Sequence, residues 1–353
     1  MKKIPSFLMF LIISLGFFLV FYFNRAKNES ITSTRAFYFW ENNRYYLNDD
    51  EIQELDSLNV KKLYLKFFEV EKNQVLGIYP TAKSDLDPFG ISDSIEIIPT
   101  IYIRNEVFKN SSKKELELFA DNLIFLIKKK YKETFSINVK GLHEIQLDCD
   151  WTESTRKNYF LFLNYVKKKS PLKISATLRL YAYKFPERMG VLPVDRAMLM
   201  CYNLLNVHES ENRNSILDLN ELEKYVKGAE KYPIPLDVAL PIYSSMHLYQ
   251  NNLYVSTFYN ENHDLEQILN KKSNLWYQVK QDTVVNSIYL RKGDQIKYEK
   301  ITPAILKKAI QIISSNVALN DDFTISLFQL NSFELKQHTH EKLDLYFNLF
   351  HSK

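Results

Sequence analysis

Stretches that alternate strictly between apolar and polar residues, each followed by a run with helical spacing, recur along this chain. The sharpest is 143–152, read as H-E-I-Q-L-D-C-D-W-T. Gln146, Asp148 and Asp150 fall on one face of an extended strand, and Ile145, Leu147, Cys149 and Trp151 on the other. A helix pattern follows at 153–169. The two aspartates therefore end a strand that feeds a helix, and in α/β barrels that end carries the chemistry. Ionised carboxylates are costly to bury unless paired, so two kept side by side point to use. The plainer reading is a solvated strand end with a capping aspartate.

Seven further strands are predicted, at 36–41, 60–70, 95–103, 172–181, 197–204, 236–242 and 323–330. Helices are predicted at 49–58, 113–131, 155–168, 220–229, 302–316 and 340–350. Leu116, Phe119, Leu123 and Leu126 form the apolar stripe of one, and Tyr159, Phe160, Leu163 and Val166 that of another. A loop rich in Pro, Asp and Gly covers 79–94. Regular β–α alternation implies a parallel sheet, and eight such units predict a (β/α)8 barrel over residues 35–353. A doubly wound sheet is the alternative. Residues 251–300 are too long for one connection. With a helical piece at 264–271 and β-rich runs at 279–285 and 287–296, they read as an insertion after the seventh strand, on the face that carries the chemistry.

Composition narrows the function. Only 7 residues are Gly, against 23 Tyr and 24 Phe, and neither G-x-G-x-x-G nor G-x-x-x-x-G-K occurs. No phosphate-binding loop, and so no nucleotide cofactor, is expected. The net charge of +4 is small for 353 residues, and the lysines of 128–130 and 167–169 suit the last turns of helices better than a nucleic-acid surface. Cys149 and Cys201 lie in apolar runs and read as buried free thiols. His338 and His340 have no metal-ligand pattern around them, so no metal is expected.

The N-terminus has its own signal. Lys2 and Lys3 precede an uncharged run, 6–23, of 18 residues, close to the ~20 that span a bilayer. It ends in Phe21-Tyr22-Phe23, without a small-residue cleavage site. An uncleaved signal anchor over 1–24 and a polar tether over 25–34 are expected, with the body exported to the periplasm or cell surface. A cleaved signal peptide is the alternative.

Other polar residues gather at predicted strand ends. Lys66 and Glu69 close strand two. Arg179 and Tyr181 share the face of Ser175 and Thr177 on strand five. Tyr202 and Asn203 end strand six, Asp237 begins strand seven and Tyr243 follows it, and Gln329 ends strand eight. Taken singly, a strand Arg is usually an ion-pair partner and a strand Tyr a core residue with a bonded hydroxyl. Together they form a rim of charge, amide and aromatic groups suited to a sugar, whose rings stack and whose hydroxyls need polar partners. Trp40 is a weaker stacking candidate. Trp151 faces the helix side by parity and reads as core.

The run Asp148-Cys149-Asp150-Trp151 resembles the D-x-D-W of strand four in chitinase-like family-18 glycoside hydrolases. Met200-Cys201-Tyr202-Asn203 resembles the M-x-Y-D on strand six of the same superfamily. The chain as a whole is also similar to a group of exported bacterial barrel proteins. The resemblance implies a barrel acting on glycan, and it carries over position by position to Asp148, Asp150 and Tyr202. Thr152 stands where that family has the glutamate that protonates the leaving group, and Asn203 where it has an aspartate.

Two functions follow. One is a membrane-anchored glycoside hydrolase acting on an envelope or environmental glycan, with Asp150 as acid, its pKa raised by Asp148, and Glu69 as partner. There Lys66, Arg179, Tyr181, Tyr202, Asn203, Asp237, Tyr243 and Gln329 hold the substrate. The other is a catalytically silent barrel that binds glycan or serves as an envelope interaction protein. The anchor has its own test. The protein should fractionate with membranes and keep its first residues, whereas amino-terminal sequencing that begins beyond residue 24 would reject an uncleaved anchor.

Overall fold

A computed structural model gives the fold for residues 32–42, 44–135, 141–209, 212–259 and 265–351. The expected anchor and nearly all of the tether lie outside the described residues. Among the described residues no helix is long and apolar enough to cross a membrane.

Eight parallel strands close into a (β/α)8 barrel: β1 (Thr32–Phe39), β2 (Lys62–Asn73), β3 (Glu96–Ile103), β4 (Glu144–Asp148), β5 (Lys173–Arg179), β6 (Arg196–Met200), β7 (Leu236–Pro241) and β8 (Asp322–Phe328). Spatial order follows chain order, and β1 closes the ring by pairing with both β2 and β8. Each predicted strand is present, with ends shifted by a few residues; β1 begins three residues before the expected domain start.

Caps set where the chain turns from strand to helix. Asn48 and Ser112 each form a reciprocal capping box, with Glu51 and Glu115, at the starts of Asp49–Ser57 and Lys113–Thr134. Thr302 caps Pro303–Asn316, whose first-turn proline needs no amide partner. Asn331 caps Ser332–His338, a helix not expected from the sequence. The second unit differs from the rest. Where the pattern predicts a loop, Gly77–Thr81 folds back as an antiparallel strand on the overhanging end of β2.

The two faces of β4 separate as their parity requires. Leu147 and Cys149 are buried toward the helix layer with Phe108, Tyr159 and Phe162, and Trp151 donates its indole N–H to the Met189 carbonyl at 3.2 Å. Gln146 points inward, where its amide oxygen accepts from the Tyr38 hydroxyl at 2.6 Å. The interior is unusually polar lower down: Glu144 takes Lys62 at 3.2 Å and Ser175 at 2.6 Å. Such groups survive burial because each makes at least one hydrogen bond, although the Gln146 amide nitrogen has no partner among the described residues. Cys149 and Cys201 are both buried free thiols.

The insertion begins earlier than predicted, at Ser245 rather than residue 251. Five antiparallel strands form its sheet, in the order Leu253–Phe258, Ser245–Gln250, Gln295–Glu299, Trp276–Val279, Leu269–Lys271. The sheet has its own apolar core, including Met246, Leu248, Phe258, Leu290 and Ile296. The helix expected over 264–271 is a single turn, Leu265–Ile268, because Leu269–Lys271 pairs with Trp276–Val279 instead.

Leu147 pairs laterally with Ile101 and Ala176 and is fully buried. Leu147→Asp places an unpaired carboxylate in that layer, and a loss of stability above about 3 kcal/mol, or failure to fold, is expected by denaturant titration. A soluble variant with an unchanged midpoint would mean that this strand faces the other way.

Candidate functional site

The site is assembled by register. Glu69 on β2 lies level with Tyr102 on β3, and Tyr102 lies level with Asp148 on β4. Lys66 and Glu69, three residues apart, would face opposite sides of a regular strand. A bulge at Phe67 removes that conflict, since Lys66 pairs with Thr100 and Glu69 with Tyr102 across it. Both side chains thus reach the inner face.

These strand ends enclose a pocket of about 280 Å³ at the C-terminal mouth of the barrel. Glu69, Asp148 and Asp150 all line it, with Arg104 and Arg179. Its aromatic lining is Tyr38, Trp40, Tyr102, Tyr202 and Phe328, and Met200 and Asn203 complete it. Phe328 packs between Tyr38, Trp40 and Tyr202 at centroid distances of 5.0–6.0 Å. Asn203 adopts a left-handed backbone, φ 54°, which asparagine tolerates, and its side-chain oxygen accepts from the Tyr243 hydroxyl.

The three carboxylates differ in their partners. Arg179 grips Asp150 with two parallel bonds, Nε to Oδ1 and Nη2 to Oδ2, the latter 2.9 Å. Glu69 touches Lys66 through one oxygen and Arg104 Nη2, at 3.4 Å, through the other; Arg104 Nε also holds Glu71 at 2.8 Å. Asp148 accepts from the Thr177 hydroxyl at 2.6 Å and makes no ion pair among the described residues. Burial, and then the charge of Asp150, push the Asp148 carboxyl up to about 6, against the opposing pull of Thr177, Arg179 and Lys66. Burial works against the Arg179 charge, but its bonds to Asp150 outweigh that and raise its pKa further. Tyr102 is pushed up to about 12 by burial and by Asp150 and Asp148.

Several expectations need correction. The carboxyl that burial raises is that of Asp148, the more enclosed of the two, while Asp150 is the one bound by Arg179. Asp237 is not at the mouth. It starts a strand, so it lies at the opposite end of the barrel, fully buried, bound by Arg196 at 3.0 Å and by the Thr324 amide at 2.6 Å. Tyr181 does not continue β5, which ends at Arg179; it sits in the helix Leu180–Lys184, more than a third exposed, against Phe185. Lys66 stands behind the pocket through Glu69, and Tyr243 behind it through Asn203. Gln329 follows the lining residue Phe328, with its side-chain oxygen buried and unpartnered among the described residues. Tyr38, Tyr102, Arg104 and Phe328 were missed. Tyr102 and Arg104 could have been found by counting strand three to its end.

No protein-family model and no curated protein matches the chain. Among solved structures it is similar to the spore cortex-lytic enzyme SleL of Bacillus megaterium QM B1551, with a TM-score of 0.54 and 13% identity over 89% of this chain and 73% of that one. SleL of Bacillus cereus gives a TM-score of 0.49 at 14% identity, with the same coverage. The catalytic domain of the Pyrococcus furiosus chitinase gives 0.40 at 12%, over 90% and 94%. The likeness to the Bacillus megaterium SleL supports the (β/α)8 barrel described above. At these identities the likeness carries the fold alone.

Because the folded value of Asp148 lies above its ordinary value of about 4, its ionisation opposes folding. That penalty is absent below about pH 4, grows as pH rises toward about 6, and stays full above. Asp148→Asn, which can still accept from Thr177, should therefore be more stable than wild type at pH 7, by on the order of 1–2 kcal/mol after screening, with the difference gone by pH 4. Parallel melts at the two pH values test this; a variant less stable at pH 7 would contradict it.

Proposed function

We propose that this barrel binds glycan at its mouth without cleaving it. The observation that carries the reading is the fate of the carboxylates. Glycoside hydrolysis needs an acid together with a base or nucleophile. Here Glu69 and Asp150 are both taken up in ion pairs, and Thr152 stands at the position of the family-18 acid. The remaining lining suits sugar binding: five aromatic side chains and an amide, in a pocket with room for little more than one ring.

The N-terminal run of uncharged residues supports the rest of the proposal. An anchor there would hold the exported body against envelope or environmental glycan. Hydrolysis remains the second reading, favoured by one observation. Asp148, pushed up to about 6, is suited to carry a proton, and two inter-strand steps separate its backbone from that of Glu69 by roughly 10 Å, the spacing of an inverting pair if side chains converge.

Retention of envelope polysaccharide by the protein, read beside release of reducing ends, separates the two. Wild type should retain glycan and release none, and Trp40→Ala should weaken retention about tenfold or more, equivalent to about 1.4 kcal/mol. Steady release of reducing ends that Asp148→Asn abolishes would establish the hydrolase instead.

A further inference from the structure

The charges in and just behind the pocket are paired: Lys66, behind the lining, with Glu69, Arg104 with Glu69 and Glu71, and Arg179 with Asp150. Asp148 is left over, enclosed by the Tyr38, Trp40, Tyr102, Tyr202 and Phe328 rings. An anionic ligand would meet this carboxylate with every cation already engaged. A neutral ligand would leave its charge uncompensated in a partly desolvated site. A ligand cation does neither: it pairs with the carboxylate and is attracted by any aromatic face that it meets in the lining. Tyr202 belongs to the same lining, and its hydroxyl is buried without a hydrogen-bond partner among the described residues.

We infer that the ligand is a glycan of amino sugars with free amines, one ammonium seating against Asp148 inside the aromatic ring. This rests on the glycan-binding reading above and adds the chemical class. An N-acetyl group would remove the charge that Asp148 requires. The groups facing Asp148 are Tyr38 on β1, Lys66 and Glu69 on β2, Tyr102 and Arg104 from β3, Asp150 after β4, Thr177 and Arg179 on β5, and Tyr202 after β6. Of these, none ordinarily titrates between pH 5 and 8, so loss of amine binding on acidification belongs to Asp148, whose carboxyl is pushed up to about 6.

The test measures binding of three hexasaccharides to the full chain at low salt and pH 7: one of glucosamine, one of N-acetylglucosamine and one of glucose. Wild type should bind the glucosamine oligomer at least about tenfold more tightly than the others. Asp148→Asn should lose that preference while still binding sugar. Should the variant fail to fold, the wild-type profile decides: affinity for the amine should fall as pH drops below about 6, where the ligand amine is already protonated and Asp148 loses its charge, and affinity for the other two should stay level. Equal binding of all three, a preference that survives Asp148→Asn, or a level amine profile overturns the ammonium site and leaves the glycan reading standing. Binding of none overturns both.

Discussion

Charge at the mouth of a barrel is costly to enclose unless it is paired, and most of this site follows from that constraint. The two hydrogen bonds from Arg179 to Asp150 join the ends of β4 and β5. Arg104 does the same for Glu69 across β2 and β3, and Lys66 adds a pair within β2. Planar guanidinium groups suit this work, since each can bind two carboxylate oxygens or bridge two carboxylates. What these pairs leave behind matters as much as what they hold. Asp148 has one hydroxyl for support, a like charge two residues away and a partly buried position. Its ionisation is therefore the free variable of the site.

Parity made the centre of the site readable in the sequence. Asp148 and Asp150 had to share a face with Gln146, and Leu147 and Trp151 had to turn toward the helices, because a strand repeats every two residues. The eightfold alternation gave the barrel by the same kind of argument. Parity failed where the backbone departed from it. The Phe67 bulge brings Lys66 and Glu69 to one face, and no spacing rule marks it in advance. Tyr181 was assigned by carrying parity past the end of β5 into a helix. Asp237 was a different error. Its residue type suited the site, but its place at the start of a parallel strand put it at the far end of the barrel, where Arg196 satisfies it.

The motif residues separate in the same way. The D-x-D-W run keeps the geometry that the resemblance implies: strand end, two inward aspartates, a tryptophan packed on the helix side. It lacks the glutamate that would use that geometry for hydrolysis, and Thr152 instead bonds Ser154 and Thr155 locally, at the start of the next helix. A fold of this kind can host many chemistries, so function has to be argued from the side chains at the mouth. In the binding reading proposed above, aromatic surface and a carboxylate without an ion pair among the described residues carry the site.

The state of Asp148 can be observed directly by carbon NMR titration of labelled aspartate carboxyls. Two aspartates, Asp148 and Asp237, should titrate near pH 6, both raised chiefly by burial. Asp148→Asn should remove one of these signals, and saturating glucosamine oligomer should lower that same transition while leaving the other in place. A spectrum in which the signal lost with Asp148→Asn titrates in the ordinary aspartate range, near 4, would contradict the account at its centre.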